Sequence, residues 1–315
     1  MINFAENLTE QMPKVSVILP VYNVGPYLDE ALSSLTGQTL RDLEIIAVND
    51  GSTDDSEEIL KRHQANDKRI RSFNQENQGQ SAARNLALQH ATGDFIYFMD
   101  SDDVILPDAL SDCCDYMEQT GADFIFFDGD TMLEPGAKPL AWDYHRTWLV
   151  RENREYTGPE LLQLMLDREK HSCVVWLLFI RRSYLERIHL TFYNGIIHED
   201  ELFTALLTLQ SSHVCALKRS LVRHRVRSSS TMGLRYSERN INCYLTVVDE
   251  LLRFQRSPLV EHFASYTLSR VFYTGHQIPF VQKPAVFWRA VRSGYMKYIG
   301  WKSALAFWGK GVINN

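Results

Sequence analysis

Three aspartates within four positions are the part of this sequence whose residue types and spacing point most directly to chemistry. Asp100, Asp102 and Asp103 follow the apolar run 95–99. Carboxylates this close raise one another's pKa, and a divalent cation removes that cost. Asp100 and Asp102 point the same way along an extended segment, so both could face one oxygen-preferring ion such as Mg²⁺ or Mn²⁺. From the residues alone, the alternative is a turn and cap before the helix at Pro107.

A fourth aspartate and a nearby arginine could bind other parts of a nucleotide. Asp50 ends another apolar run, and its carboxylate could accept an N–H from a nucleobase while Tyr22 offers a flat face for stacking. Arg84 lies among small residues and could reach phosphates or neutralise the acids. The alternatives are an Asx turn with a helix cap for Asp50 and a solvated helix face for Arg84.

These side chains must be positioned by a regular alternation of strands and helices between Lys14 and Gly129. Composition and length predict the strands Val15–Val21, Leu43–Val48, Ile70–Asn74, Phe95–Met99 and Phe124–Phe127. The stretches between them predict the helices Tyr27–Leu35, Asp55–Gln64, Gln80–His90 and Pro107–Glu118. Such an α/β series predicts a doubly wound, mostly parallel sheet, whose ligands lie at the carboxyl ends of the strands.

Composition and missing motifs exclude several classes of protein. The chain has 315 residues, 45% hydrophobic and 23% charged, which is typical of a soluble globular protein. Its formal charge of -6 gives no basic footprint for nucleic acid, so we expect no nucleic-acid partner. The glycine-rich dinucleotide fingerprint and the P-loop are both absent from the sequence, which argues against a dehydrogenase and an NTPase.

Cysteine usage and the chain's apolar runs indicate a cytoplasmic protein. The five cysteines form no CxxC pair and sit mostly in apolar stretches, so we interpret them as reduced core thiols. Residues 1–13, a polar lead, lack the basic start and apolar run of a signal peptide. The most apolar run, 173–180, is too short to span a bilayer.

Four strings in order resemble the family 2 glycosyltransferases, inverting enzymes with the nucleotide-sugar-binding GT-A fold. They are VSVILPVYN from Val15, LEIIAVNDGSTDDS from Leu43, ENQGQSAARN from Glu76 and GDFIYFMDSDD from Gly93. The resemblance is close over the first third of the chain and scattered beyond it. It implies a nucleotide-sugar donor, a UDP-sugar in the first instance, and an Mn²⁺ or Mg²⁺ ion.

The resemblance also implies roles for individual residues. Asp50 would read the base, uracil, and Asp100 and Asp102 would be the family's D-x-D pair. Asp102 would be the more direct metal ligand, and Asp100 would lie nearer the ribose or a metal-bound water. The full set assigned to nucleotide-sugar binding is Pro20, Tyr22, Asn23, Asp50, Gly79, Arg84, Asp100, Ser101, Arg225 and Arg227.

An acidic helix start supplies the candidate catalytic base. The family places an acid, often in a Glu-Asp pair, where it can deprotonate the acceptor hydroxyl, and the string His198-Glu199-Asp200 fits this pattern. We choose Asp200, with Glu199 the competing assignment. A structural acidic cluster at a helix N-terminus is the alternative. The second histidine of HExxH is missing, so zinc hydrolysis is not supported.

The segment His224–Ser230 resembles the family's Arg-x-x-x-Ser segment near the mouth of the active site. As a flexible basic loop it could close over a pyrophosphate, with Arg225 or Arg227 donating hydrogen bonds and His224 completing the metal shell. The alternation of its residues would equally suit an exposed edge strand.

The chain divides into three expected regions. Residues 14–230 form the GT-A catalytic domain, with a nucleotide-sugar-binding half at 14–130 and an acceptor half at 131–230, which includes a long loop over 131–154 and a short strand at 214–217. Residues 231–315 form a helical C-terminal extension. Within it, 287–308 interleaves aromatic and basic residues, which could rest peripherally on the cytoplasmic face of an anionic inner membrane or could simply pack on the catalytic domain.

The expected function is transfer of a sugar from a UDP-sugar to an acceptor hydroxyl. The resemblance implies a saccharide or lipid-linked saccharide acceptor, as in bacterial surface-polysaccharide or O-antigen synthesis. One rival is an inactive module that binds nucleotide-sugar or glycan. Another is a metal-dependent nucleotidyltransferase, which should carry a glycine-rich basic loop where this chain has the uncharged stretch 20–25.

Overall fold

A single mixed sheet organises the part of the chain between Val15 and Val226. The computed structural model describes residues 12–151, 154–227 and 236–309. The sheet has eight strands in the order β3-β2-β1-β4-β7-β6-β8-β5. The strands are β1 (Val15–Val21), β2 (Leu43–Asp50), β3 (Ile70–Gln75), β4 (Phe95–Phe98), β5 (Val104–Ile105), β6 (Phe124–Leu133), β7 (Leu178–Arg181) and β8 (Val214–Val226).

The first half of the sheet is parallel, as the sequence predicts. Strands β3, β2, β1 and β4 pair side by side in parallel, so their carboxyl ends meet at one edge. Strand order reverses beside β1, which pairs with β2 on one side and with β4 on the other. A crevice at such a reversal is where open α/β sheets bind ligands. The second half is mixed, since β7 pairs antiparallel with β4 and β6, β8 runs parallel to β6, and β5 runs antiparallel to β8.

Helices cover both faces of this sheet. The helices are α1 (Gly25–Thr36), α2 (Ser56–Asn66), α3 (Gln80–Gln89), α4 (Ala109–Thr120), α5 (Gly158–Asp167), α6 (Arg182–Ile188), α7 (Glu199–Gln210), α8 (Glu238–Phe254), α9 (Pro258–Thr274), α10 (Lys283–Arg292) and α11 (Trp301–Trp308). Buried side chains of α1, α2 and α4 form one core with the sheet, and those of α3, α5, α6 and α7 form a second. Neighbouring residues of β1, such as Val17 and Ile18, belong to opposite cores, which explains why the strand is apolar throughout.

The C-terminal helices α8–α11 share a third core with helices α5 and α7. Leu162 and Leu166 of α5 and Leu202 of α7 pack in the same cluster as Leu245 of α8 and Phe307 of α11. Part of the segment 287–308 therefore packs on the rest of the protein, which is one of the two expectations for this segment. None of the helices in the described ranges is both long enough and apolar enough to cross a membrane.

Strand β8 is the main departure from the elements predicted from sequence. A short strand is predicted at 214–217, whereas β8 runs for 13 residues to Val226. Its middle holds the charged residues Lys218 and Arg219, which interrupt the apolar pattern. The strand continues past them because β6 pairs with 214–216 and again from Ser220 onwards, after a register shift, while β5 pairs with Val222 and Arg223. Likewise β6 extends to Leu133, into the stretch predicted to be a loop.

A glycine contact between α5 and α7 gives a test of this packing. A Cβ placed on Gly158 would lie 1.6 Å from the carbonyl oxygen of Thr208, a backbone atom of the helix that carries Asp200. We expect Gly158→Ala to lower the free energy of unfolding by about 2 kcal/mol or more, measured by urea denaturation. Gly309→Ala is the control, because its nearest new contact is at 3.5 Å. Equal denaturation midpoints for Gly158→Ala and wild type would contradict the packing described here.

Candidate active site

The loops after β1 and β2 are tied together at the carboxyl edge of the sheet. Asn23 Oδ1 accepts a hydrogen bond from Thr53 N at 2.8 Å, and Ser52 Oγ accepts one from Asn23 N at 3.1 Å. Asn23 adopts a left-handed backbone with φ of 50°. Next to it Tyr22 is 49% exposed, so its ring is free to stack on a ligand, whereas Pro20 lies within β1, paired with Val48.

Asp50 organises the loop after β3. It is buried at the end of β2. Its Oδ1 accepts from Gln75 Nε2 at 2.7 Å and from Gln78 N at 2.8 Å, and its Oδ2 accepts from Gly79 N at 2.9 Å. Gly79 has φ of 89° and directly precedes α3. Asp50 therefore fixes the start of the helix that carries Arg84. Its reading of a base stays a prediction.

Arg84 joins the acids after β4 to the acids that begin α7. The side chain is buried, which excludes the solvated helix face. Its Nη1 donates to Glu199 Oε1 at 2.8 Å, and its Nη2 donates to Asp100 Oδ1 at 3.0 Å. Its guanidinium lies 5.0 Å from the ring centroid of Phe192, and Gln80, one helical turn earlier, donates to Asp100 at 3.1 Å. The D-x-D string and the Glu-Asp pair thus belong to one site, although 115 residues separate Arg84 from Glu199.

The last aspartate of the Asp-Ser-Asp-Asp string is an anchor to β8. Asp103 has no exposed surface. It accepts hydrogen bonds from His224 Nδ1 at 2.9 Å and from Arg225 N at 2.8 Å. Burial raises the pKa of Asp103 to about 7 despite His224. Burial opposes charge on His224 as well, but the hydrogen bond to Asp103 and the negative charges of the nearby aspartates together outweigh burial and raise the pKa of His224. The place of His224 in a metal shell stays a prediction.

Asp100 and Asp102 remain as the carboxylates that face the site. Burial and the charge of Asp100 raise the pKa of Asp102. Asp102 Oδ2 lies 2.6 Å from Arg227 Nη2, while Ser101 between the two acids is buried. No group of three histidine, cysteine or acidic side chains is arranged as a metal site within the described residues. Because burial makes ionisation of Asp102 costly, this carboxylate next to Asp100 nevertheless suits a hard cation that takes its other ligands from phosphate oxygens.

Arg225 is part of the scaffold instead of a free basic side chain. Its Nε donates to the Asp102 carbonyl oxygen at 2.8 Å, and its two Nη atoms donate to Glu134 and Glu30. Residues 224–226 lie in β8, so the flexible loop expected there is wrong for these residues. The edge-strand alternative fits in part, because β6 pairs with 224–226 while β5 pairs only with Val222 and Arg223, but Arg225 and Val226 are buried instead of exposed. Each guanidinium nitrogen of Arg225 thus already donates a hydrogen bond within the protein, whereas residues 228–230 fall outside the described part of the chain.

Arg227 is better placed than Arg225 to meet a ligand. It follows the end of β8, and its guanidinium lies 5.0 Å from the ring centroid of Tyr27. Besides its contact with Asp102, its Nε is buried without a hydrogen-bond partner. A diphosphate beside Asp102 would supply acceptors for this guanidinium.

The two candidate bases have different surroundings. Glu199 is fastened to Arg84, whereas Asp200 has no ion pair among the residues that the structure describes. Asp200 Oδ1 accepts from Glu201 N at 2.9 Å, and the Cys173 thiol lies 3.6 Å from Asp200 Oδ2. Burial, followed by the charges of Glu199 and Glu201, raises the pKa of Asp200 to about 8. Asp200 is therefore a carboxylate with a raised pKa that is not held by an ion pair among the described residues.

Phe192, Cys173 and His171 complete the surroundings without having been predicted. His171 Nε2 lies 3.2 Å from Glu201 Oε1, just behind the candidate base. Nothing local in the sequence marks these residues, because each reaches the site from a distant segment. Gln80 could have been found, since it stands one helical turn before Arg84 within ENQGQSAARN.

The raised pKa of Asp200 predicts a pH dependence of stability. Between the ordinary aspartate pKa of 3.8 and about 8, the folded state holds a proton that the unfolded state releases. The free energy of unfolding should therefore fall as the pH rises through this range. Between pH 5 and 8, Asp200→Asn should flatten that fall by an amount on the order of 1 kcal/mol, measured by denaturation at each pH.

Asp123→Asn is the control for this pH series. Burial opposes the charge on Asp123, but the hydrogen bonds from Arg187, Ser211 and Ser212 together outweigh it and lower the pKa of Asp123. The stabilisation from Asp123 is thus lost only as the pH falls below about 4, so its variant should keep the wild-type slope between pH 5 and 8. An unchanged slope in Asp200→Asn would show that Asp200 is ionised throughout.

Comparison with known sequences identifies the family of this chain. The family model described as "Glycosyl transferase family 2" matches residues 16–188. The chain is 33% identical to the uncharacterized glycosyltransferase YibD of Escherichia coli over 239 residues, 73% of this chain and 66% of that protein. It is 30% identical to the uncharacterized glycosyltransferase EpsJ of Bacillus subtilis over 281 residues, 85% of this chain and 77% of that protein. The chain thus spans just under two thirds of the first of these relatives.

Solved structures share the fold. Residues 1–349 of TarS from S. aureus, in complex with UDP-GlcNAc, superpose with a TM-score of 0.68 at 19% identity, covering 90% of this chain and 89% of that one. The mannosyltransferase PcManGT from Pyrobaculum calidifontis, in complex with GDP-Man and Mn2+, superposes with a TM-score of 0.59 at 16% identity, covering 91% and 78%. At these identities the likeness shows the fold alone. With the family model matching more than half of the chain, this protein belongs to glycosyl transferase family 2.

Proposed function

We propose that this glycosyltransferase moves a sugar from a UDP-sugar to the hydroxyl of a lipid-linked saccharide, with inversion at the anomeric carbon. The observation that carries the proposal is the double ion pair of Arg84, which joins Asp100 of the D-x-D string to the Glu199-Asp200 pair. The leaving diphosphate needs a cation to offset its negative charge, and the attacking hydroxyl needs a base. The D-x-D string would hold the cation, and the Glu199-Asp200 pair would supply the base.

The donor's diphosphate would lie beside Asp102 and Arg227. Asp102, with Asp100, would hold the Mn²⁺ or Mg²⁺ ion, which when bound offsets the negative charge on the departing diphosphate. The raised pKa of Asp102 supports this role, because a carboxylate that is costly to ionise gains most from a cation. PcManGT, which shares the fold, was solved with Mn2+.

The nucleoside would bind where the loops after β1 and β2 meet. The exposed ring of Tyr22 supports stacking of a base, and Asn23 fixes the loop that carries this ring. Asp50 has three hydrogen bonds and could still accept one from a uracil N–H, since a carboxylate has about four acceptor sites. TarS, solved with UDP-GlcNAc on the same fold, supports a uridine donor.

Asp200 would accept the proton of the attacking hydroxyl. Its raised pKa makes it a stronger base than an exposed aspartate, and no cation competes for it among the described residues. Glu199 is the weaker candidate, because its charge is already neutralised by Arg84. Attack from the face opposite the diphosphate then inverts the anomeric configuration and requires only this one base.

The resemblance to bacterial polysaccharide-building enzymes supports the lipid-linked acceptor. No contact in the structure distinguishes this acceptor from a free saccharide. Family membership argues against a nucleotidyltransferase. An inactive binding module differs from a transferase in turnover, so the experiment that follows includes product formation.

Two substitutions should separate donor binding from proton transfer. With Mn²⁺ present, Asp102→Ala should weaken UDP-sugar binding by about tenfold or more in calorimetric titration, because it removes the more direct metal ligand. Asp200→Asn should keep donor affinity but lower kcat by a factor on the order of 10² or more, because amide nitrogen and oxygen cannot take the proton.

Asp115→Ala is the matched control, since Asp115 is an exposed acid on α4. It should leave both affinity and turnover unchanged. Equal donor affinity in wild type and Asp102→Ala would contradict the metal assignment, and full turnover in Asp200→Asn would contradict the base. A wild-type protein that binds UDP-sugars with Mn²⁺ but turns over none of them would indicate the binding module.

A further inference from the structure

The C-terminal helices carry an outward-facing apolar surface that the catalytic site does not use. Trp301, Leu305 and Trp308 follow one another at steps of four and three residues, so they share one face of α11. We call the whole surface the aromatic patch; its members, with their exposed fractions, are Phe280 (67%), Val281 (84%), Trp288 (57%), Trp301 (67%), Leu305 (61%) and Trp308 (38%).

Ring contacts make this patch continuous. The Trp308 ring centroid lies 6.0 Å from that of Phe280 and 5.3 Å from that of Phe287. Phe287 in turn lies 6.1 Å from Trp288. Three elements, the turn at 280–282, α10 and α11, therefore contribute to one surface. Exposed apolar surfaces of this kind mark interaction sites in soluble proteins.

The patch is not needed to complete the core beneath it. The opposite face of α11 buries Phe307 completely, and Tyr295 and Tyr298 between α10 and α11 are also buried. The inward-facing aromatics thus satisfy the packing of these helices. The outward-facing ones remain for a partner.

The segment that carries the patch is basic, whereas the whole chain is acidic. Residues 262–315 hold seven of the 33 lysines and arginines and none of the 39 acidic residues, which leaves a formal charge of -13 on the first 261 residues. Lys302 Nζ lies 5.7 Å from the Trp301 ring centroid. Arg292 is exposed one helical turn after Trp288. The cations therefore border the apolar side chains directly.

We propose that the aromatic patch binds the surface of an anionic lipid bilayer. Tryptophan rings favour the interface between headgroups and acyl chains, and neighbouring lysines and arginines are attracted to anionic headgroups. A second copy of the chain is a poorer partner, because docking patch on patch would oppose two basic surfaces. The proposal is independent of the sugar donor and acceptor.

Vesicle flotation of the full-length protein tests this surface. We expect the protein to float with phosphatidylcholine vesicles that contain about a third phosphatidylglycerol, and not with pure phosphatidylcholine. The bound fraction should fall as NaCl is raised, because salt screens the basic side chains. Failure to float with the anionic vesicles would overturn the proposal.

Paired variants locate the binding surface. Trp288→Ser with Trp301→Ser, and separately Arg292→Glu with Lys302→Glu, should each reduce vesicle partitioning by about tenfold or more. The matched controls are Trp148→Ser, which removes an indole 60% exposed outside these helices, and Lys68→Glu, which reverses an exposed charge after α2. Both controls should float like wild type.

The remaining outcomes of these experiments either support or overturn the binding of the patch to the bilayer. Flotation that survives both paired variants would overturn the proposal, as would sedimentation showing a dimer without lipid that either pair abolishes. UDP-sugar binding with Mn²⁺ should be the same in all variants, since none touches the site. Loss of vesicle binding with retained donor binding supports the proposal, whatever sugar the enzyme transfers.

Discussion

The buried guanidinium of Arg84 is the interaction on which the site depends. It is held by α3 and neutralises Asp100 on one side and Glu199 on the other. Removing it would leave the buried Glu199 without its cation, a change that typically costs about 3–5 kcal/mol, while Asp100 would keep only its hydrogen bond from Gln80. Asn85, the next residue, fixes the segment at Phe192 through hydrogen bonds to its backbone N and O, each of 2.8 Å. Two consecutive side chains of α3 thus hold the segments at Phe192 and Glu199 to this helix.

The acids of the site divide into those that hold the scaffold and those that face a ligand. Asp50 orders the start of α3, and Asp103 fastens the Asp-Ser-Asp-Asp string to β8. The other acids of the site are Asp100 and Asp102, which follow β4, and Asp200, in the first turn of α7. The structural interpretation is therefore confirmed for Asp103, whereas the functional one stays a prediction for Asp100 and Asp102.

The sequence predicts the elements whose signals are local. β1 to β4 and α1 to α4 follow from apolar runs and amphipathic periods, and their alternation is enough to predict the parallel half of the sheet. The long course of β8 is not predictable in this way, because β6, from elsewhere in the chain, pairs with it both before and after the charged residues Lys218 and Arg219.

Side-chain partners are the other limit of prediction from the sequence. The resemblance places Arg84 beside the donor, but its pairing with Glu199 is a contact across 115 residues. Arg225 and Arg227 are both arginines, yet Arg225 forms ion pairs with Glu30 and Glu134. Only the fold brings these two acids near Arg225. The three-dimensional contacts therefore decide which of two equivalent sequence candidates is available to a ligand.

A double-mutant cycle on Arg84 and Glu199 tests most directly whether this ion pair joins the two halves. The free energy of unfolding is measured for wild type, Arg84→Met, Glu199→Gln and the double variant. We expect each single change to cost about 3 kcal/mol and the double change little more than either, which gives a coupling energy of about 2 kcal/mol or more. Additive effects, with no coupling, would contradict the account.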